Sequence, residues 1–157
     1  ITIRAEFGGD NHNDTNLARE TAQHVTGCAR IGRMIDEIDS MRAAGTMRDE
    51  VIVGVMNVFG RTLRKKGTAG RDHNRGHHVT TLFGDVFKGA VVGGIERNGN
   101  DYRSTSIDPA TGNAGGSIAY EESFGTMAKT LGVALGVPEE NMNASVSLGQ
   151  ALEMPFR

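Results

Sequence analysis

Asp10 and His12 stand one residue apart in Gly8-Gly9-Asp10-Asn11-His12-Asn13-Asp14, and three of the five histidines crowd into Gly70-Arg71-Asp72-His73-Asn74-Arg75-Gly76-His77-His78. A carboxylate and an imidazole on one bend can reach the same divalent cation, and a loop carrying several imidazoles can aim them at a metal or at an anion. The same residues have a plainer use. Asp10, Asn13 or Asp14 can turn the chain and cap a helix, and the histidine-rich stretch can be a solvated loop. Arg61, Arg64, Lys65, Lys66, Arg71 and Arg75 form a basic run. Guanidinium groups pair bidentately with phosphate or sulfate, so Arg61 and Arg71 are candidates for holding such an oxyanion; a solvated loop is the alternative. Nucleic acid is not the expected partner, because only Phe59 lies near these charges to stack on a base. The Gly-x-Ser-x-Gly elbow, the phosphate loop and the dinucleotide fingerprint are all absent from the sequence.

These side chains need elements to position them. Ile1 to Phe7 alternates apolar and polar residues, the period of a strand, and Gly8-Gly9 stops it. Asp14 or Thr15 can cap a long helix whose stripe is Leu17, Val25, Cys28, Ile31, Ile35, Ile38 and Met41, with Gly45 as its C-terminal glycine. His24 sits at the edge of that stripe and reads as structural. Val51 to Met56 is a continuous apolar run, which suits a strand buried on both faces of a parallel sheet. Strand, helix and buried strand make a right-handed βαβ unit. Asn57 to His78 reads as a long loop. Short strands are expected over Val79–Phe83 and Ala90–Ile95, a glycine-rich loop over Asn98–Ser117, and a second helix from Glu122 or Ser123 with Phe124, Met127, Leu131 and Leu135 on one face. Gly136 and Pro138 end that helix, and the tail from Glu139 is irregular or weakly helical. The expected fold class is α/β, a mostly parallel sheet with flanking helices. In such sheets ligands bind beyond the carboxyl ends of the strands, which places Gly8–Asp14 and Asn57–His78 at one rim.

With 157 residues, 38% of them hydrophobic and 23% charged, the chain has the make-up of one folded domain, or of part of a larger one. A net charge of -2 gives no basic field to draw it to nucleic acid or acidic lipid. No apolar run approaches the ~20 residues of a membrane span. Cys28 is the only cysteine, so no internal disulfide is available. The sequence opens on Ile1 within an apparent strand, which reads as a processed product or a fragment with any targeting signal upstream.

Three segments together resemble a bacterial family of alkaline-phosphatase/sulfatase-like proteins, the domain of unknown function 1501 family. Gly8-Gly9-Asp10-Asn11-His12 resembles its Gly-x-Asp-Thr-His motif, Val51–Thr62 its apolar strand running into Glu-Phe-Gly-Arg-Thr, and Gly70-Arg71-Asp72-His73 its Gly-Arg/Thr-Asp-His. Their order and spacing match, and Phe83–Gly94 resembles its Gly-Gly-x-Lys-Gly-Gly region. The resemblance runs from about Gly8 to Gly136 and covers the C-terminal part of a typical member. It implies an alkaline-phosphatase-like fold and the chemistry of metal-dependent phosphate or sulfate ester hydrolases, in which divalent ions activate a Ser or Thr nucleophile. It further implies Asp10, His12 and His73 as ligands of a divalent ion (zinc, manganese, iron or calcium), with Arg61 or Arg71 on the substrate oxyanion. Two departures point toward lost catalysis: Val58 stands where the motif has Glu, and the nucleophile and remaining ligands of a typical member lie upstream. Another polypeptide is then expected to supply that region, and the alternative is a non-catalytic binding or assembly subunit that keeps the fold. Relatives are often exported, which implies the periplasm or cell envelope by analogy alone.

Overall fold

The computed structural model describes residues 2–3, 9–63, 70–153 and 155–156. In chain order its elements are α1 (Ala18–Ala43), β1 (Val53–Met56), β2 (Gly60–Arg61), β3 (His73–Asn74), β4 (Thr80–Phe83), β5 (Ile95–Asn98), β6 (Asp101–Ser104), a 3-10 turn over Tyr120–Glu122, α2 (Ser123–Ala134) and α3 (Glu139–Ser145). The chain divides into two compact units, Ile1–Val51 with Arg61–His73, and Ile52–Gly60 with Asn74–Arg157.

The first unit is built on α1, whose C-terminal end follows from sequence and whose N-terminal cap does not. The N-cap position falls at Leu17, not at Asp14 or Thr15 as expected, and has no side-chain cap; Asp14, three residues earlier, still accepts the Glu20 N–H of the first turn at 2.8 Å. Leu17 precedes the helix in the left-handed region, at φ 55. At the other end Gly45 takes φ 69. Its N–H donates to Arg42 O at 2.9 Å, and the Thr46 N–H donates to Met41 O at 3.0 Å. These two bonds make a Schellman motif, which satisfies carbonyls that the helix leaves open. Of the expected stripe, Leu17, Ile31, Ile35, Ile38 and Met41 are half-buried, while Val25 and Cys28 are exposed. Among the described residues of this unit the buried ones are small or polar: Asn11, Glu20, Gly27 and Gly70.

The second unit holds the apolar core, formed by Phe87, Ile118, Met142 and Leu152. β1 pairs antiparallel with β4, from Val53 opposite Phe83 to Met56 opposite Thr80. β5 and β6 form an antiparallel hairpin, Ile95 opposite Ser104 and Asn98 opposite Asp101, turned by Gly99-Asn100. α2 ends where Gly136 and Pro138 were expected to stop it.

The expected α/β fold with a mostly parallel, alkaline-phosphatase-like sheet is overturned. Among the described residues the strands form three separate two-stranded antiparallel sheets, β1 with β4, β2 with β3 and β5 with β6, and no parallel sheet. The physical reason lies in particular segments. Val51–Met56 is apolar throughout, but Gly54 and Met56 are exposed while Val53 and Val55 are half-buried. That alternation belongs to a ribbon covered on one face, not to a central parallel strand. The strand expected over Ile1–Phe7 falls, apart from Thr2 and Ile3, outside the described residues. Ala90–Ile95 is interrupted by Gly93 and Gly94, and a strand starts only at Ile95; its partner β6 lies in the stretch expected as loop. The face of α2 is also corrected. Thr126, Lys129, Thr130 and Gly132 are its buried residues, whereas Phe124 and Leu135 are exposed. The tail explains this: Lys129 Nζ donates to Gly149 O at 2.8 Å, and Thr130 Oγ1 accepts the Leu152 N–H at 3.0 Å.

Candidate functional site

The first unit gathers Asp10, His12, Arg61, Asp72 and His73. Two backbone devices bring them together. The Thr62 N–H donates to Asp72 O at 2.9 Å and the Asp72 N–H donates to Thr62 Oγ1 at 3.0 Å, which fixes Arg61 beside the Asp72-His73 pair. Gly70 then presses against the turn that carries His12. Its N–H donates to His12 O at 2.5 Å, and a Cβ at this position would lie 1.8 Å from Asn11 O. Only glycine permits that approach. Behind the turn, buried Asn11 donates from its amide nitrogen to Glu20 of α1.

The side chains meet at imidazole nitrogens. His12 Nε2 lies 3.0 Å from His73 Nε2, with the rings tilted by 48° and their centroids 4.7 Å apart. Asp10 Oδ1 is 3.8 Å from His12 Nε2, and Asp72 Oδ1 is 3.6 Å from His12 Nδ1. Arg61 donates from Nη2 to Gly9 O at 3.1 Å, which leaves its Nη1 3.3 Å from His12 Nε2. A guanidinium has protons to give and no lone pair to offer, so the His12 Nε2 facing it presents its lone pair. The Nδ1 proton of that tautomer then points to the side where Asp72 stands. A histidine with a carboxylate behind one nitrogen and a lone pair on the other is arranged as metal-binding imidazoles are, once Arg61 gives up that lone pair. Two nitrogens 3.0 Å apart on one ion at 2.0–2.1 Å subtend an angle of roughly 94°. The same separation also suits one N–H···N hydrogen bond between the rings.

The site is open. The side chains of His12, Asp10 and Asp72 keep 37%, 80% and 45% of their exposure, so their charge interactions are screened by solvent. Among the described residues no group of three or more His, Cys, Asp or Glu side chains is arranged to hold a metal ion. The pair of histidines is in place, and Asp10 would have to swing inward to join them.

The other candidates fall elsewhere. Arg71 turns to α1, with Nη1 3.6 Å from Glu20 Oε1, and so braces the turn instead of facing the imidazoles. Arg64, Lys65 and Lys66 lie outside the described residues. In the second unit Val58 is 76% exposed, and Asn57 Oδ1 accepts the Val79 N–H at 2.9 Å. Asp72 and Glu20 were not singled out by sequence reasoning. Asp72 had a signal, its place directly before His73; Glu20 had none beyond its position in the first turn of a helix.

A second histidine, His78, was also passed over. Its ring stacks on Phe124 at 3.9 Å and 10°, and its Nε2 lies 2.7 Å from Ser123 Oγ. Ser123 donates its hydroxyl to Tyr120 O, so His78 Nε2 carries the proton that completes this chain of bonds. The serine hydroxyl has no second proton to give, and the pair therefore fastens α2 to the segment before β4 and is not an activated nucleophile. Burial, and the neighbouring His77, hold the His78 pKa below its ordinary value.

No protein-family model, no curated protein and no solved structure matches this chain.

Proposed function

We propose that the chain is a relative of the metal-dependent phosphate and sulfate ester hydrolases, in which His12 and His73, joined by Asp10, bind one divalent cation and Arg61 stands beside it to hold an oxyanion. The observation that carries this reading is the 3.0 Å separation of the two Nε2 atoms from segments 61 positions apart. A bound ion would polarise a phosphoryl or sulfuryl oxygen. His12 contributes a lone pair oriented by Asp72, and Arg61, tethered to the Gly9 carbonyl, contributes donors suited to an ester oxyanion.

A second reading is a non-catalytic binding or assembly subunit. It is favoured by Val58, an exposed isopropyl group where the family's motif supplies a carboxylate, and by Arg61 Nη1, which already faces the His12 lone pair. The two readings part in one titration series. Zinc and manganese are titrated calorimetrically into the chain and into the His12→Ala/His73→Ala variant, and the zinc-loaded chain is assayed with p-nitrophenyl phosphate and sulfate, with and without chelator. One-to-one binding lost in the double variant supports the cation site, and chelator-sensitive hydrolysis with it supports an enzyme. Binding without hydrolysis leaves the non-catalytic reading standing, and equal binding by both proteins overturns the site.

A further inference from the structure

The second unit holds a cavity of about 540 Å³ between β4, the segment 87–95, the Ser123, Thr126, Met127 and Thr130 side of α2 and the tail at Leu152 and Pro155. Its body is apolar. Leu82, Phe87, Val92, Ile107 and Met127 form its walls, and Val91 at its edge is 88% exposed. Of the eight hydroxyls among the lining residues four are engaged within the protein, while Thr80 Oγ1 and Thr126 Oγ1 are buried without a partner among the described residues. Thr105 Oγ1 donates to Gly94 O, Tyr120 Oη to Arg75 O, Ser123 Oγ to Tyr120 O, and Thr130 Oγ1 to Thr126 O. Most of the lining surface is nonetheless apolar, and water against it gains less than it does in bulk. A volume of this order is that of a small-molecule pocket.

The lining also has a charge sign. It contains no Asp or Glu, and Lys88 is its one permanently charged residue. The position of Lys88 is fixed by the tail: its N–H donates to Pro155 O at 2.8 Å, and the neighbouring Phe87 bridges to Phe156. Lys88 is exposed, so its ammonium is solvated when the cavity is empty and is available to a single anionic group on a ligand, while a dianion would exceed the charge available. We propose that this cavity binds a small amphiphile with an apolar body and a single anionic group, the body against Met127 and Leu82 and the anion on Lys88. The site lies within the second unit and does not depend on the cation-binding reading.

The test is calorimetric titration of the full chain with decanoate and with decanol, which share the apolar body and differ in the anion. Saturable one-to-one binding of both is expected, with decanoate tighter by at least about threefold, the size of a partly exposed ion pair. Lys88→Gln should abolish the preference for decanoate and leave decanol unchanged. Met127→Trp fills the cavity and should abolish binding of both; Ala90→Trp, on a different wall, serves the same purpose if the first variant does not fold. Absence of saturable binding, or a folded tryptophan variant that binds both ligands as the parent does, overturns the pocket. An unchanged decanoate preference in Lys88→Gln overturns the assignment of the anion.

Discussion

Asp72 acts on the site from behind, through the imidazole and not through the cation position. Its Oδ1 stands 3.6 Å from His12 Nδ1, on the side away from His73. Carboxylates placed this way fix the tautomer and orientation of a ligand, and their loss typically lowers metal affinity 10–100-fold. Asp72→Asn should weaken zinc binding by about tenfold or more without unfolding the chain, because the backbone bonds to Thr62 remain. Calorimetry on the variant checks this. His78 gives a second prediction, in stability. Its folded pKa lies below the ordinary 6.5, so between the two values the unfolded chain takes up a proton that the folded one resists. Stability is therefore fully present above about pH 6.5 and is lost as pH falls through the depressed value. The urea midpoint should fall between pH 7.5 and pH 5, and His78→Phe, which keeps a ring on Phe124, should flatten that part of the slope.

At the scale of elements, two glycines act by different physics. Gly45 sits at φ 69 with open space around its Cβ position, so Gly45→Ala meets only backbone strain and should cost about 1–2 kcal/mol. Gly70 has its Cβ position 1.8 Å from Asn11 O, so Gly70→Ala meets a backbone contact. It should cost about 1–3 kcal/mol and move His12 away from His73. Urea denaturation measures both losses, and only the second should also lower zinc affinity. These elements also mark what the sequence discloses. α1 was legible because its stripe and Gly45 agree over 26 residues. α2 was legible in extent and not in orientation, because its polar side is covered by a tail 20 residues further along the chain, through Lys129 and Gly149. The sheet was misread because an apolar run such as Val51–Met56 has no period that separates a central strand from a short ribbon. The β5–β6 hairpin carried a signal in Gly99-Asn100, the kind of pair that turns a two-residue hairpin. At the site, Asp10, His12, His73 and Arg61 were named from residue type and motif order, and they do lie near one another. Arg71 was assigned to substrate, but its partner Glu20 could not be read from spacing.

For the molecule as a whole, the described residues bury few large apolar side chains, and the four that are buried lie in the second unit. Stability should accordingly be uneven. β5 is exposed at every position, and a two-stranded hairpin is marginal without a covered face. Ile118 is buried and exchanges two backbone bonds with Ile107, at 2.9 and 3.0 Å. Hydrogen exchange should therefore proceed fastest in Ile95–Ser104 and slowest at Ile107, Ile118 and the Thr126–Thr130 turn of α2. Uniform exchange across these segments would contradict this ordering.

The pairing of His12 with His73 has a bearing on how the chain reaches its final form. The two residues are 61 positions apart, so their meeting closes a long loop, and the chain entropy of that closure must be overcome before the imidazoles gain anything from each other. An ion held by both rings would clip the loop shut, and its binding energy would become folding energy for the first unit. Zinc at 100 times its dissociation constant should then raise stability by about 2.7 kcal/mol. On the ribosome, such a clip can form only after residue 73 has emerged, some sixty residues after the first ligand was made.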